Sequence, residues 1–236
     1  MSENVEIGGA TSDVRTFVYQ YWARCGQSPS VAQIGEYAGL GVADVERALL
    51  SLHGSRDLVL AGDDTSKIVM AHPFSAIPQG FSVMGDETLW WGGCAWDSFA
   101  IPHLVTTVHD VLVATRCPAC DNAHSWVVGR GRPPAGEQVA HFLTPVDDIW
   151  SDVVTACANQ RIFCSALCVE TWLLDTGNRR GYVMDLDTLW KLARNWYDGR
   201  LDRDYVRREP AMAAEYFASV GLVGEFWGRS GSSGVG

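Results

Sequence analysis

One stretch, residues 89–102, most constrains how this chain can fold. Its first residues are apolar and aromatic, which predicts a buried strand. Two consecutive glycines then allow the backbone to turn sharply. The following residues, 95–100, predict a short helix that closes near Pro102. The stretch therefore predicts a strand that turns directly into a helix, with Cys94 at the junction.

Cys94 and Asp97 are three residues apart, so the predicted helix places them on one face. The macrodipole and the unpaired N–H groups at a helix N-terminus favour a thiolate. A carboxyl group among aromatic side chains is a candidate proton carrier. The pair therefore indicates a soft nucleophile beside a proton carrier. A buried structural cysteine with a helix-capping aspartate fits the same residues.

Composition and charge narrow the possible classes of protein. The chain has 236 residues, of which 47% are hydrophobic, as in ordinary globular proteins. No apolar run approaches the ~20 residues that span a membrane, and the acidic N-terminus lacks the features of a signal peptide. We therefore expect a cytoplasmic protein without a membrane partner. A net charge of −10 argues against a nucleic-acid partner.

The predicted fold class is α+β. Three helices and a pair of short strands over residues 12–75 predict a winged-helix-like module, preceded by a disordered segment, 1–11. Residues 72–80 are expected to be a linker. A mixed β-sheet with flanking helices is expected over residues 81–228, which form the second domain. The Gly/Ser-rich residues 229–236 predict a flexible tail.

Winged helices often bind DNA, but the charge of this module argues against that role. Residues 1–75 carry five basic side chains against nine acidic ones. The third helix, which would enter the DNA groove, has Asp44 and Glu46 against Arg47. Phosphates would repel such a helix. We expect the module to be structural or to act as a lid.

Seven cysteines in a cytoplasmic chain indicate metal-binding or catalytic thiols rather than disulfides. Cys164, like Cys94, lies at a predicted strand-to-helix junction, where Ser165 can cap the helix. Two thiolates and the Asp97 carboxyl group would suit a soft, two-coordinate metal ion.

A second interpretation uses Cys164 differently. Cys117-x2-Cys120 and Cys164-x3-Cys168 have the spacing of the two halves of a four-thiolate zinc site. His124 could replace one of these ligands. If zinc binds all four thiols, Cys164 is structural and Cys94 stands alone as the reactive thiol.

The remaining candidates carry weaker signals. Cys25 and Cys157 are expected to be core or surface cysteines without a function. His103 follows the predicted helix and is expected to be structural rather than part of the site. Some of the ten tryptophans, among them Trp96, could form an apolar pocket for an organic group. Trp90 and Trp91 belong to the same candidate pocket.

In two short segments the chain resembles the organomercurial (alkylmercury) lyase family. The resemblance lies in Trp-Gly-Gly-Cys94-Ala-Trp-Asp97-Ser-Phe-Ala-Ile-Pro102, and in Arg161-Ile-Phe-Cys164 with Trp172 on the next helix. An acidic winged-helix-like module is also similar to that family, and the resemblance runs over roughly residues 12–228.

The resemblance implies cleavage of the carbon–mercury bond of an organomercurial. Cys94 and Cys164 would bind mercury, and Asp97 would move a thiol proton to the leaving carbon. The products would be a hydrocarbon and Hg²⁺, which a cellular thiol or a mercuric reductase would remove. No organic cofactor would be required, although a structural zinc remains possible.

Two features depart from the family pattern. A cysteine, Cys168, follows Cys164 after three residues, and the pair Cys117 and Cys120 adds thiols that could compete for Cys164. In that family, a cysteine near the position of Cys117 is regarded as structural. The resemblance therefore implies no catalytic role for Cys117 and Cys120. Two alternatives therefore stay open: a zinc-stabilised winged-helix binding or regulatory protein, and a lyase-like enzyme with a non-mercury substrate.

Overall fold

The computed structural model describes residues 2–228, with side chains described from residue 9. The predicted flexible tail, 229–236, lies outside these residues. The protein combines eight α-helices with two antiparallel sheets among the described residues, which confirms the α+β class. The helices are α1 (Ser2–Cys25), α2 (Val31–Ala38), α3 (Val42–Gly54), α4 (Ala95–Leu104), α5 (Val153–Ala158), α6 (Ala166–Thr176), α7 (Leu186–Arg194) and α8 (Pro210–Ser219).

The larger sheet has seven strands in the order β1-β2-β3-β5-β4-β6-β7. The smaller one has three, in the order β10-β8-β9. Where the sequence suggested a mixed sheet, every pairing in residues 2–228 is antiparallel. The strands are β1 (Val59–Leu60), β2 (Ile68–Ala71), β3 (Phe74–Ser75), β4 (Phe81–Met84), β5 (Leu89–Gly92), β6 (Asp110–Arg116), β7 (Ala123–Gly129), β8 (Val139–Phe142), β9 (Gln160–Phe163) and β10 (Tyr182–Asp185).

The first helix is longer than the sequence indicated. It begins at Ser2, so the segment expected to be disordered is helical from residue 2 onward. Extending an existing helix adds a hydrogen bond for each residue fixed, whereas nucleation is costly. Val14 and Val18, which are fully buried, anchor the helix further along and supply that nucleus.

The boundary expected between residues 75 and 81 falls within the larger sheet. β3, in the segment expected to be a linker, pairs with β2 on one side and with β5 on the other. The strands that follow α3 are thereby continuous with the strands that lead to Cys94. Residues from both predicted domains also share one hydrophobic core.

Helix α4 lies inside the protein and packs against α7 and the larger sheet. Its residues 95–102 are all buried, so it has no solvent-facing side over most of its length. A helix that is apolar all round is stable only when it is enclosed. The junction that precedes α4, with Cys94, is therefore held rigidly within the core.

None of the helices within residues 2–228 is both long enough and apolar enough to cross a lipid bilayer.

Candidate active site

The backbone around Cys94 is fixed from both sides. Strand β5 ends two residues earlier, and Cys94 is the N-cap of α4, where its Sγ accepts a hydrogen bond from the Asp97 N–H at 3.4 Å. A Cβ on Gly93 would lie 2.4 Å from Oδ2 of Asp97 and 2.9 Å from Cε of Met70. Glycine is needed at this position because the backbone passes directly against the carboxyl group.

Asp97 is the centre of a buried polar network. Its Oδ2 lies 3.2 Å from Sγ of Cys94 and 3.1 Å from Nδ1 of His72. Its Oδ1 accepts a hydrogen bond of 2.5 Å from the hydroxyl of Tyr197. Only 2% of Asp97 is exposed. Buried polar groups need partners, and these three contacts orient both carboxyl oxygens.

A second thiol, that of Cys157, completes the cluster. Cys157 lies on α5, is buried, and lines the same cavity as Cys94, close enough for the two thiols to shift each other's pKa. One ligand atom each from His72, Asp97 and Cys157 lie within 4.8 Å of one another. The site therefore combines two thiols, a carboxyl group and an imidazole in a buried position.

Burial outweighs the helix N-terminus in setting the pKa of the Cys94 thiol, and it also raises the pKa of Cys157. Because Cys94 is buried, its pKa is raised well above the ordinary value, and its hydrogen bond to Cys157 and the Asp97 charge add to this. For Cys157, the hydrogen bond from Cys94 lowers the pKa, but burial and the Asp97 charge together raise it. The expected thiolate at Cys94 is therefore a neutral thiol at rest. The cost of desolvating a charge explains the difference.

The cluster lines a cavity of about 540 Å³. Of the three tryptophans predicted to form a pocket, only Trp96 lines it. Trp196 packs against that ring at a tilt of 48°, with ring centroids 4.8 Å apart. Trp90 is buried elsewhere and donates its indole N–H to the backbone of α1. An apolar aromatic wall beside a few polar groups is typical of small-molecule sites. Further lining side chains include Trp150, Tyr197, Arg200 and Phe217.

The comparisons with known proteins identify a family and a similar fold. The family model described as alkylmercury lyase matches residues 74–198, which is more than half of the chain. The chain belongs to the alkylmercury lyase family. The match includes the Cys94–Asp97 segment, Cys157 and Tyr197, while His72 precedes it by two residues.

The fold of this alkylmercury lyase family member is also similar to a solved structure, described as the mercury-bound form of MerB2. The two are 20% identical with a TM-score of 0.62, and the similarity covers 82% of this chain and 91% of that one. No curated protein matches the sequence.

Cys164, predicted to be the second mercury-binding thiol, lies in a different cluster. Its Sγ is 3.4 Å from that of Cys120, and both group with Cys117 and Cys168. Cys164 does not line the cavity that contains Cys94 among the described residues. Strand β9 ends at Phe163 beside the β6–β7 hairpin, so the next residue is placed at the hairpin loop. The structure therefore separates the two thiols that the sequence had paired.

Cys157, expected to be a core or surface cysteine, is indeed buried in the core, but it also lines the cavity beside Cys94, which the sequence did not predict. A signal for it exists, because Val153, Ala156 and Cys157 follow the spacing of one buried helical face and are all buried. His72 was missed because its segment was interpreted as a linker. Tyr197 was missed because an aromatic residue after a helix is usually only core.

His103, which was expected to be structural, is not among the described residues that line the cavity. Its ring packs edge-on against Trp190 with centroids 5.3 Å apart. Burial, with the charges of Arg194 and Arg130, lowers its pKa to about 4, so it is neutral near pH 7.

Proposed function

We propose that this protein cleaves the carbon–mercury bond of organomercurials with Cys94, Cys157 and Asp97. The observation that carries the proposal is the buried cluster of two thiols around one carboxyl group, in which Cys94 hydrogen-bonds to Asp97 and the Cys157 sulfur lies within 4.8 Å of it. Membership of the alkylmercury lyase family supports the substrate class. Soft sulfur ligands are the preferred ligands of soft metals, of which mercury is an extreme case.

The first step is an exchange of mercury ligands. An organomercurial in the cell is carried on a small thiol, as R–Hg–SR′. The Cys157 thiol replaces that carrier, and its proton leaves with the carrier as HSR′. A Cys157–S–Hg–R adduct remains in the cavity. No free thiolate accumulates, which suits a site where burial keeps both thiols neutral.

The second step uses the short contact between Cys94 and Asp97. Cys94 transfers its proton to Oδ2 of Asp97, 3.2 Å away, as its sulfur binds the mercury. Two sulfur donors raise the electron density on mercury and weaken its bond to carbon. Asp97 then protonates the carbon, R–H leaves, and Hg²⁺ stays on two thiolates. Every proton is accounted for, and the carboxylate is restored.

The cavity is suited to the organic group. Its volume, about 540 Å³, lies within the ~300–1,000 Å³ of small-molecule sites. Trp96 and Trp196 offer apolar faces to an alkyl or aryl group. The chemistry requires no organic cofactor. A cellular thiol or a mercuric reductase would then remove Hg²⁺ from the protein.

The module formed by residues 12–75 has a structural role in this proposal. Arg200, which lines the cavity, donates to the hydroxyl of Tyr19 at 2.7 Å and to that of Tyr205 at 3.0 Å. Arg15 in turn donates to the Arg200 carbonyl at 2.8 Å. Helix α1 thus supports one wall of the cavity. The acidic balance of the module argues against a role in DNA binding.

The test is turnover of phenylmercuric acetate by purified protein in D₂O, with a small thiol in excess. We expect many equivalents of benzene per protein, each carrying one deuterium, because the proposal delivers a solvent-exchanged proton to carbon. Phenol, or benzene without deuterium, would contradict protonation of the carbon. No release by folded protein with reduced thiols would reject the mercury substrate.

A further inference from the structure

We propose that Cys117, Cys120, Cys164 and Cys168 bind one Zn²⁺ ion as a structural site, separate from the mercury-binding cluster. The four Sγ atoms all lie within 4.8 Å of one another. None of the four is in a disulfide, and the 3.4 Å between the sulfurs of Cys120 and Cys164 is far beyond the ~2.05 Å of an S–S bond. The proposal does not depend on lyase activity.

The first pair of thiols lies on the loop of the β6–β7 hairpin. The Cys117 N–H donates to the Asn122 carbonyl and the Asp121 N–H donates to the Cys117 carbonyl, both at 2.9 Å. Asp121 has a φ of 59°, in the left-handed region that a tight turn of this kind requires. This closed turn directs both thiols to one side.

The second pair lies at the start of α6. Cys164 follows strand β9, and Ser165 caps the helix by accepting a hydrogen bond from the Cys168 N–H at 3.4 Å. Cys168 is therefore in the first turn, beside Cys164. Two separately formed elements, more than 40 residues apart in sequence, present two thiols each to the same point.

The donor set and its geometry fit zinc. Tetrahedral zinc with Zn–S distances of about 2.3 Å places its sulfur ligands ~3.8 Å apart. The sulfur atoms of Cys120 and Cys164 are 3.4 Å apart and no pair of the four is more than 4.8 Å apart, so shifts of an ångström or less would give this spacing. Four protein ligands leave no open coordination position, which is the pattern of structural rather than catalytic zinc.

The surroundings also suit a negatively charged tetrathiolate centre. Nε2 of His124 lies 3.2 Å from the Cys164 sulfur, and Nδ2 of Asn122 donates to it at 3.8 Å. The Arg161 side chain reaches the backbone of Arg116 nearby, at 3.5 Å. Outer-shell donors of this kind orient ligands and offset their charge. His124 has this role here rather than that of a ligand.

The ion would supply stability where the hydrophobic core is small. Only four buried residues form the local core, Cys117 among them, and it is distinct from the main core. A metal linking the hairpin to β9 and α6 would hold the strand that begins three residues after Cys157. The zinc site would thereby also fix the position of a mercury-binding thiol.

The experiment is a metal analysis of the reduced full-length protein, with no mercury present. We expect about one zinc ion per chain. The exposed Cys25 supplies the matched control, because Cys25→Ser should keep the ion while Cys168→Ser should lose it. Cys120→His keeps a tetrahedral donor set, and we expect it to retain zinc even if Cys168→Ser folds poorly.

Two further results decide the proposal. Protein refolded with Co²⁺ should show the thiolate-to-cobalt charge-transfer band of a tetrahedral sulfur site, and this band should be absent from Cys168→Ser. Folded wild-type protein without zinc, or with iron in its place, would overturn the proposal. So would unchanged zinc content in Cys168→Ser.

Discussion

The sulfur of Cys94 lies 3.2 Å from Oδ2 of Asp97, at a helix junction where each of the two residues is only 2% exposed. The helix fixes this distance, because the two residues are one turn apart and Cys94 caps the helix. The contact gives the thiol proton a direct route to a carboxylate. A protein that has to make a thiolate in an apolar environment needs such a route.

Replacing the proton carrier should separate mercury binding from bond cleavage. Asp97→Asn keeps the shape of the side chain but cannot carry the proton. We expect benzene release to fall ~10²- to 10⁴-fold, the usual range for general acid–base catalysis. Binding of phenylmercury, measured by the loss of titratable thiols, should persist. Asp175→Asn, at an exposed position, is the control, and equal turnover by the two variants would refute the assignment.

The Tyr197 hydroxyl should position the carboxyl group. Burial and the Asp97 charge raise the pKa of Tyr197 well above its ordinary value, so it stays a donor at all working pH values. Tyr197→Phe removes a hydrogen bond to a charged group, worth ~1.5–3 kcal/mol. We expect kcat to fall about 10- to 100-fold with little change in KM. A change confined to KM would indicate substrate binding instead.

The glycine before Cys94 should not tolerate a side chain. In Gly93→Ala the added carbon would meet Oδ2 of Asp97 at 2.4 Å, so we expect a lower Tm and loss of turnover. Gly54→Ala offers a matched control, because nothing lies within 4 Å of a carbon added there. Gly54 ends a helix, so that change should be neutral or stabilise by up to ~1 kcal/mol. Similar thermal unfolding of both variants would contradict the close approach.

The free energy of unfolding should decrease as the pH is lowered, because a histidine that is buried and neutral in the folded protein becomes protonated in the unfolded chain. Nε2 of His141 accepts the Gly181 N–H at 3.1 Å and must be unprotonated to do so. Burial, with the Arg180 charge, lowers its pKa to about 4 from 6.5. Between these values only the unfolded chain binds the proton, so stability drops as the pH falls, by at most ~1.4 kcal/mol per pH unit.

A comparison of variants tests this pH dependence. We expect Tm to fall less steeply from pH 6.5 to pH 4 in His141→Leu than in the wild type. His109→Leu alters a histidine whose side chain is 88% exposed, and its pH profile should match that of the wild type. Identical profiles for all three proteins would assign the acid sensitivity to other groups.

The local part of the site was predictable from the sequence. The strand, the glycine pair and the helix around Cys94 and Asp97 involve only neighbouring residues, and the predicted spacing is the one observed. The expected cap of α6, Ser165, was also correct. Short-range geometry of this kind depends on side-chain spacing and capping alone.

The second thiol was not predictable because it depends on long-range packing. Cys157 and Cys164 are seven residues apart, and strand β9 lies between them. Cys164, after the strand, lies away from the cavity in the four-cysteine cluster, whereas Cys157, before the strand, lies beside Cys94. The local sequence does not distinguish the two cysteines, because each lies near one end of a strand. Which one reaches Cys94 is decided by how β9 sits against β8 and α4.

The sequence also did not predict that the larger sheet continues across the expected domain boundary. Strand β3 is only two residues long and contains no alternation for a pattern to detect. Its pairing with β5 joins residues that the sequence assigned to separate domains. His72, directly before this strand and its proline, was missed together with it.

The most direct test of the account compares benzene release from phenylmercuric acetate by Cys157→Ser and by Cys25→Ser, in excess small thiol at neutral pH. Both changes replace one sulfur, but only Cys157 touches the Cys94 thiol. The account predicts turnover at the wild-type rate for Cys25→Ser and loss of turnover for folded Cys157→Ser. Undiminished turnover by Cys157→Ser would contradict the pairing of Cys94 with Cys157.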